Sequence, residues 1–232
     1  MNIVRARGVE GAIAARGSVV VIDVLRAFTT AAYAFAAGAR EIVLVSTVEE
    51  ALALRTRFPR AVLVGEVGGK PIEGFDHGNS PERMRELDRS GLAGKTVILR
   101  SSSGTQGVVS ARAAEEIHLG SFVVASATAR ALAESARTMT LVAMGSPHGP
   151  DGPEDDACGD LLEDLLRRRT PDLAAIEARV RASPAARQAL DPAIDWITPE
   201  DLECALAIDR FDFAMRVRRE RDLLIAARDP IR

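Results

Sequence analysis

Cysteine is scarce in this 232-residue chain: only Cys158 and Cys204 occur, with no Cys-x-x-Cys spacing and no histidine at a metal-ligand interval. That speaks against a zinc centre and a disulfide framework, and for a reducing compartment. Lysine is scarcer still relative to arginine, with Lys70 and Lys95 alone. One Trp, one Tyr and a net charge of −3 supply neither a basic footprint nor a stacking platform, so no nucleic-acid partner is expected. No apolar run approaches the roughly 20 residues of a membrane helix, so no membrane partner is expected. The opening stretch, MNIVRARGVEGAIAARG, mixes charged and apolar residues too often for a signal peptide. A cytoplasmic address is the expectation. A Gly-x-x-x-x-Gly-Lys-Ser/Thr loop is missing too, which removes the P-loop nucleotide binders.

What is present is an ordinary globular balance, 47% hydrophobic and 27% charged, ample for one large domain. The organising stretch is VVVIDVLRAFTT, residues 19–30. Val19–Ile22 reads as a strand buried on both faces, and it ends at Asp23. Arg26, Thr29 and Thr30 follow as the pattern turns into an Ala-rich helix closed by Gly38. Glu41–Val45 is a second strand. Thr47–Phe58 reads as a helix with Thr47 and Glu50 as a capping box. Ala61–Gly65 is a third strand and runs into Glu66, after which a long Gly/Pro loop spans residues 67–81. Asn2–Ile13 has no clear period and suits an edge strand.

A second round repeats this order. Thr96–Arg100 is a strand that empties into SSSGTQG, residues 101–107, and a small-residue helix follows over Val108–Ala114. Glu116–Leu119 and Thr140–Met144 read as strands around a helix over Thr128–Ala136. The loop GSPHGPDGPEDDACGD then leads into an amphipathic helix over Leu161–Arg169. An offset of 75 residues aligns Thr30 with Thr105, Glu41 with Glu116 and Leu44 with Leu119. The expected fold is therefore α/β, with pseudo-equivalent halves of about residues 15–90 and 95–170 in a single domain of residues 1–232, and equivalent loops facing across one cleft. Residues 171–232 read as a helical tail, with a last helix over Glu200–Arg219 whose apolar positions share one face. That apolar tail also leaves room for a homodimer.

The chemistry concentrates at strand ends and in the two long loops. Asp23 offers a carboxylate and Arg26 a guanidinium suited to bidentate anion contacts. Ser102, Ser103, Gly104 and Thr105 resemble an anion cradle at a helix N-terminus, although a plain turn and cap fits them equally. Glu66, Glu73 and Asp76 come from one loop; Asp151, Glu154, Asp155 and Asp156 from the other. Clustered carboxylates need protonation, solvent or a cation, and an all-oxygen set suits Mg²⁺. Lys70, Asn79 and Ser80 are further candidates for binding substrate, Asn79 and Ser80 being equally suited to cap the helix that Pro81 opens. His77 is a candidate acid or ligand, and His118, on a strand, is structural.

Together, VVVIDVLRAFTT, LVGEVGGKPIEGFDHGNSP, VILRSSSGTQG, PEDDACGDLLEDLL and DLECALAIDRFDF resemble the 2-phosphosulfolactate phosphatase (ComB-like) family, in the family's order, over most of the chain. The resemblance implies a three-layer α/β/α fold built from two similar halves, here with a helical C-terminal segment. It implies Mg²⁺-dependent hydrolysis of a small phosphorylated acid, 2-phosphosulfolactate, to sulfolactate and phosphate, a step toward coenzyme M. On it, Asp23, Arg26, Asp76 and Asp155 are assigned to catalysis, and Asp23, Glu66, Glu154 and Asp155 to the metal. Thr29, Thr30, Lys70, Asn79, Ser80 and the Ser102–Thr105 loop are assigned to substrate. Phe28 stands where the family usually carries a hydroxyl residue, and SSSGTQG replaces a loop that usually holds an amide and a cation. A haloacid-dehalogenase phosphatase needs a second Asp two places after Asp23, where Leu25 stands. A small-anion-binding module of the same fold is the non-enzymatic rival.

Overall fold

The computed structural model of the chain describes residues 2–87, 91–133, 138–146 and 151–230. Its centre is a ten-stranded sheet in the order β1-β8-β2-β7-β9-β10-β3-β6-β4-β5. The first strands and helices are β1 (Asn2–Arg7), α1 (Gly8–Ala14), β2 (Gly17–Ile22), α2 (Ala27–Ala36), β3 (Glu41–Val45), α3 (Val48–Arg57), β4 (Val62–Val67), β5 (Lys70–Pro71) and α4 (Pro81–Glu86). The second round gives β6 (Thr96–Arg100), α5 (Gly104–Ser110), β7 (Ala114–Gly120), α6 (Ala125–Ala133), β8 (Thr138–Ala143) and α7 (Pro153–Leu166). The chain continues as α8 (Leu173–Arg181), α9 (Pro184–Ala189), α10 (Pro199–Leu206), β9 (Phe213–Glu220) and β10 (Leu223–Pro230). Helices cover both faces, which makes the fold a three-layer α/β/α structure.

The strand order is a palindrome of the two rounds. Exchanging β1 with β5, β8 with β4, β2 with β6, β7 with β3 and β9 with β10 reverses the list onto itself. Each parallel group mixes strands of both rounds: β2 lies between β7 and β8, and β6 lies between β3 and β4. Side chains repeat the relation. Ser18 on β2 donates to Glu116 on β7 at 3.3 Å, and Thr96 on β6 donates to Glu41 on β3 at 2.9 Å. One apolar cluster collects residues from β2, β3, β4, β6, β7 and β9 around α2 and α5, so the sheet wraps an inner helical layer. Two further clusters lie on the other face, one against α6 to α10 and one against α3.

The C-terminal segment corrects an expectation. The helix predicted over Glu200–Arg219 ends at Leu206, and residues 213–230 form a hairpin in the middle of the sheet. Met215 and Val217 face the inner core while Arg216 and Arg218 face out, an alternation of period two that suits a strand. Helix starts were more legible. Thr47 accepts from the Glu50 N–H at 3.1 Å, and Ser80 accepts from the Arg83 N–H at 3.1 Å. The edge strand expected near the N-terminus is β1, parallel to β8. The helix predicted over Leu161–Arg169 begins earlier, at Pro153, which supplies an N1 proline. His148 and the end of the predicted Thr128–Ala136 helix lie outside the described residues.

Candidate active site

The polar residues that the strand ends bring together line a cavity of about 270 Å³. Asp23, Leu25 and Arg26 come from the turn after β2, Glu66, Gly68 and Gly69 from the end of β4, and Asn79 from the loop before α4. Ser103 comes from the turn after β6, Asp151, Pro153 and Glu154 from the start of α7, and Gln188 and Trp196 from the tail. Glycines at 68 and 69, with φ of 59° and 87°, make the tight turn between β4 and β5 that lets this backbone approach the cavity.

Asp23 is the hinge of the arrangement. Its Oδ1 accepts from the Ala27 N–H of α2 at 2.9 Å, and its Oδ2 accepts from the Gly104 N–H of α5 at 2.7 Å. One carboxylate therefore joins the starts of the two equivalent inner helices. Burial, with further push from Glu66 and Glu154, raises its carboxyl to about 7 against those two hydrogen bonds. The approach at Gly104 is close: a Cβ there would stand 2.6 Å from Asp23 Oδ2 and 3.0 Å from the Phe28 ring. Gly104→Ala is expected to cost about 1–3 kcal/mol by overpacking and to lower turnover by moving Asp23. Thermal melts alongside a turnover assay check both, and a variant with unchanged melting and turnover would contradict the contact.

Two more carboxylates flank Asp23 in equivalent ways. Glu66 accepts from the Ser102 N–H at 2.5 Å and the Gly69 N–H at 2.6 Å. Asp155 accepts from the Val24 N–H at 2.7 Å and the Gly145 N–H at 2.8 Å. Burial, then the charges of Asp23 and Glu154, hold the Asp155 carboxyl well above the ordinary carboxylate range. Glu154 is raised too, first by burial, and its Oε2 is buried without a hydrogen-bond partner. Asn79 presents a second buried, unpartnered oxygen, Oδ1, on the same cavity. These are hard oxygen donors with no thiol or imidazole among them.

Against this geometry, the profile of the 2-phosphosulpholactate phosphatase family matches residues 5–219. The chain belongs to that family. A probable 2-phosphosulfolactate phosphatase of Bacillus subtilis is 33% identical over 203 residues, 87% of each chain. One of Carboxydothermus hydrogenoformans is 44% identical over 134 residues, 58% of this chain and 52% of its own length. One of Deinococcus radiodurans is 41% identical over 149 residues, 63% of this chain and 60% of its own.

Within this member of the 2-phosphosulpholactate phosphatase family, the assigned residues divide. Asp23, Arg26, Glu66, Asn79, Ser103 and Glu154 line the cavity. Asp155, Ser102 and Gly104 stand behind its wall, bound to the cavity residues or their turns. Several others do not reach it. Asp76 is tied to Arg55 of α3 at 2.6 Å and to the Leu63 N–H at 2.8 Å, which pins its loop to β4. Thr29 and Thr30 are buried and donate to the Val24 and Arg26 carbonyls, as helix hydroxyls do. Thr105 is spent on Ser101, Ser80 caps α4, and Lys70 is exposed with its Nζ 5.1 Å from the Trp196 ring. His77 makes a backbone bridge to Val64, away from the cavity lining. Phe28 packs into the inner core beneath Gly104 and does not line the cavity.

Sequence reading missed Trp196, Asp201 and Gln188. The segment that the sequence marks only as a helical tail supplies one wall of the cavity. Asp201 carried one usable signal, the Thr-Pro-Glu-Asp start of a capping box, which the structure shows in full.

Proposed function

We propose that this cavity hydrolyses the phosphate monoester of a small anionic acid, with 2-phosphosulfolactate as substrate and sulfolactate and phosphate as products. Family membership gives the reaction class, and the observation that carries the site is Asp23, a buried carboxyl at the end of β2 facing a polar cavity. Among the described residues no group of three or more His, Cys, Asp or Glu side chains could by itself hold a metal ion. Mg²⁺ commonly binds through one or two carboxylates plus water and substrate phosphate; Glu154, whose Oε2 is buried without a hydrogen-bond partner, and Glu66 on the same lining would hold it in that mode, while Asp23, with both oxygens taken by backbone N–H groups, is left to handle a proton. When bound, Mg²⁺ supplies charge neutralisation on the phosphoryl oxygens.

The chain's own groups account for the rest. Each Asp23 oxygen already accepts a backbone N–H, which disperses its charge and suits it to handling a proton rather than attacking phosphorus. A carboxyl held near 7 is matched to taking a proton from water at neutral pH. Water then forms the new P–O bond as the ester P–O bond breaks, and the proton that Asp23 took from the water passes to the leaving alkoxide, which returns Asp23 to its starting form. Ser103 and Asn79 border the space where the phosphoryl oxygens and the acid group would lie.

The test is phosphate release from 2-phosphosulfolactate and from carboxylated and uncharged phosphoesters, with Mg²⁺ or with EDTA. Release from the sulfonated substrate at least about tenfold faster than from the uncharged one, abolished by EDTA and restored by Mg²⁺, is the expected result. No phosphate from any ester overturns the reading, and EDTA-insensitive turnover overturns the metal.

A further inference from the structure

Arg26 faces the cavity, but most of its guanidinium is committed to the protein. Nη1 donates to the Trp196 carbonyl and faces Asp201 Oδ2 at 3.5 Å, and Nη2 donates to the Gly69 carbonyl at 2.8 Å. Those partners belong to different walls: Gly69 to the β4–β5 turn, Trp196 to the tail segment before α10, Asp201 to α10 itself. Asp201 is fully buried, and its contacts go further. Oδ1 accepts from Ser80 Oγ at 2.6 Å and the Glu82 N–H at 3.1 Å, while Oδ2 accepts from the Thr198 N–H at 3.3 Å. It therefore joins the start of α4, the start of α10 and Arg26.

A helix cap alone does not call for a buried charge, since a neutral side chain can close a capping box. A carboxylate removed from water is costly unless a cation answers it, and the cation that the structure places against Asp201 is Arg26. We infer that Asp201 is a positioning residue for this site: it holds the Arg26 guanidinium, and through it the Gly69 and Trp196 carbonyls, where the cavity walls meet. This rests on reading the cavity as the place of ester hydrolysis and deepens that reading. The tail then completes the site, and Arg26 organises its rim as well as facing the substrate.

Trp196 is the single Trp of the chain, so its fluorescence and near-ultraviolet circular dichroism report this junction without any substrate. Asp201→Asn keeps the shape and removes the charge. In the ligand-free variant, Trp196 emission should shift to the red and its near-ultraviolet signal weaken while the far-ultraviolet spectrum is kept. With 2-phosphosulfolactate, KM should rise about tenfold and kcat change by less than about threefold. Arg26→Gln should reproduce the spectral change, and adding Asp201→Asn to it should change emission and KM by less than about twofold further. Thr198→Ala, which cuts the cap but leaves the ion pair, should lower the melting temperature and leave emission and KM in place. Wild-type emission and KM in Asp201→Asn, or effects that multiply in the double variant, overturn the inference. Should Asp201→Asn fail to fold, Arg26→Gln decides alone: a wild-type spectrum there overturns it. A wild-type protein that releases no phosphate from 2-phosphosulfolactate overturns the functional reading instead, and the emission spectra still judge Asp201.

Discussion

Asp23→Asn is expected to lower phosphate release by about 10²–10⁴-fold while making the stability of the metal-free protein fall less steeply between pH 5 and pH 8. The two effects have one origin. Folding moves the Asp23 carboxyl from its ordinary 3.8 up to about 7, chiefly by burial. A carboxyl with a raised folded value binds its proton more tightly in the folded state. Its stabilisation is complete below about pH 4 and is lost as pH climbs through 7. At pH 8 the wild type holds a buried carboxylate beside Glu66 and Glu154, at a cost on the order of 2–4 kcal/mol relative to acid conditions. Asparagine carries no charge and so escapes that pH-dependent cost, while its NH2 faces one of the two backbone N–H groups, which offsets part of the gain at every pH. Asp155 should gain as well, since Asp23 is one of the charges that holds its carboxyl up. Chemical denaturation in EDTA from pH 5 to pH 8 checks this: wild-type stability should fall with pH more steeply than that of the variant. Added Mg²⁺ should stabilise the wild type at pH 8 more than the variant, because only the wild type carries the Asp23 charge beside Glu66 and Glu154 for the cation to offset. Equal pH slopes would refute the buried charge, and full turnover in Asp23→Asn would refute the site.

That Asp23 was legible in the sequence follows from its local setting. A run of four apolar residues that stops at an acid, with an Ala-rich helix after it, reports a strand end and a helix start within a few positions. Glu66 was legible from the first half of that pattern alone, an apolar run that stops at an acid, with a Gly/Pro loop in place of the helix. Asp155 could be flagged only as one of several acids before a helix; its equivalence to Glu66 is invisible in the chain, because one lies in the last residues of β4 and the other in the first turn of α7. The structure shows the relation through the backbone N–H groups that each accepts. Asp76 looked wedged and therefore functional, but its partner is Arg55, 21 residues earlier on α3, and no local pattern announces that pair. Trp196 and Asp201 lie some 170 residues from Arg26. Only tertiary packing brings them to it.

The hairpin β9–β10 failed as a sequence reading because its residues satisfy two periods. Leu202, Leu206, Phe213 and Val217 fit a helical stripe, and Phe213, Met215 and Val217 fit a strand; the chain turn at Asp209, with φ of 54°, separates them. The position of the hairpin yields the second large prediction: a chain ended at Asp212 should not fold. β9 pairs with β7 and β10 pairs with β3, so the hairpin alone joins the two parallel groups of the sheet. Met215, Val217, Leu223 and Ile225 are all buried, and burial of such side chains contributes about 1.5–3 kcal/mol each, which together rivals the whole stability of an ordinary domain. The hairpin also anchors α2. Phe213 lies 6.1 Å from Phe35 and stacks at 5.6 Å on Phe211, which meets Tyr33 edge-on at 5.0 Å. Removing it exposes β7 and β3 as two apolar edges and frees the helix whose start holds Asp23. Expression of the shortened chain should give insoluble protein, or a soluble form without a cooperative melt. A cooperative, active product would mean that the two groups of strands hold together through the inner helices alone. The hairpin contributes no residue to the cavity lining, so its effect on activity would run entirely through the sheet that brings Asp23 and Gly104 into contact.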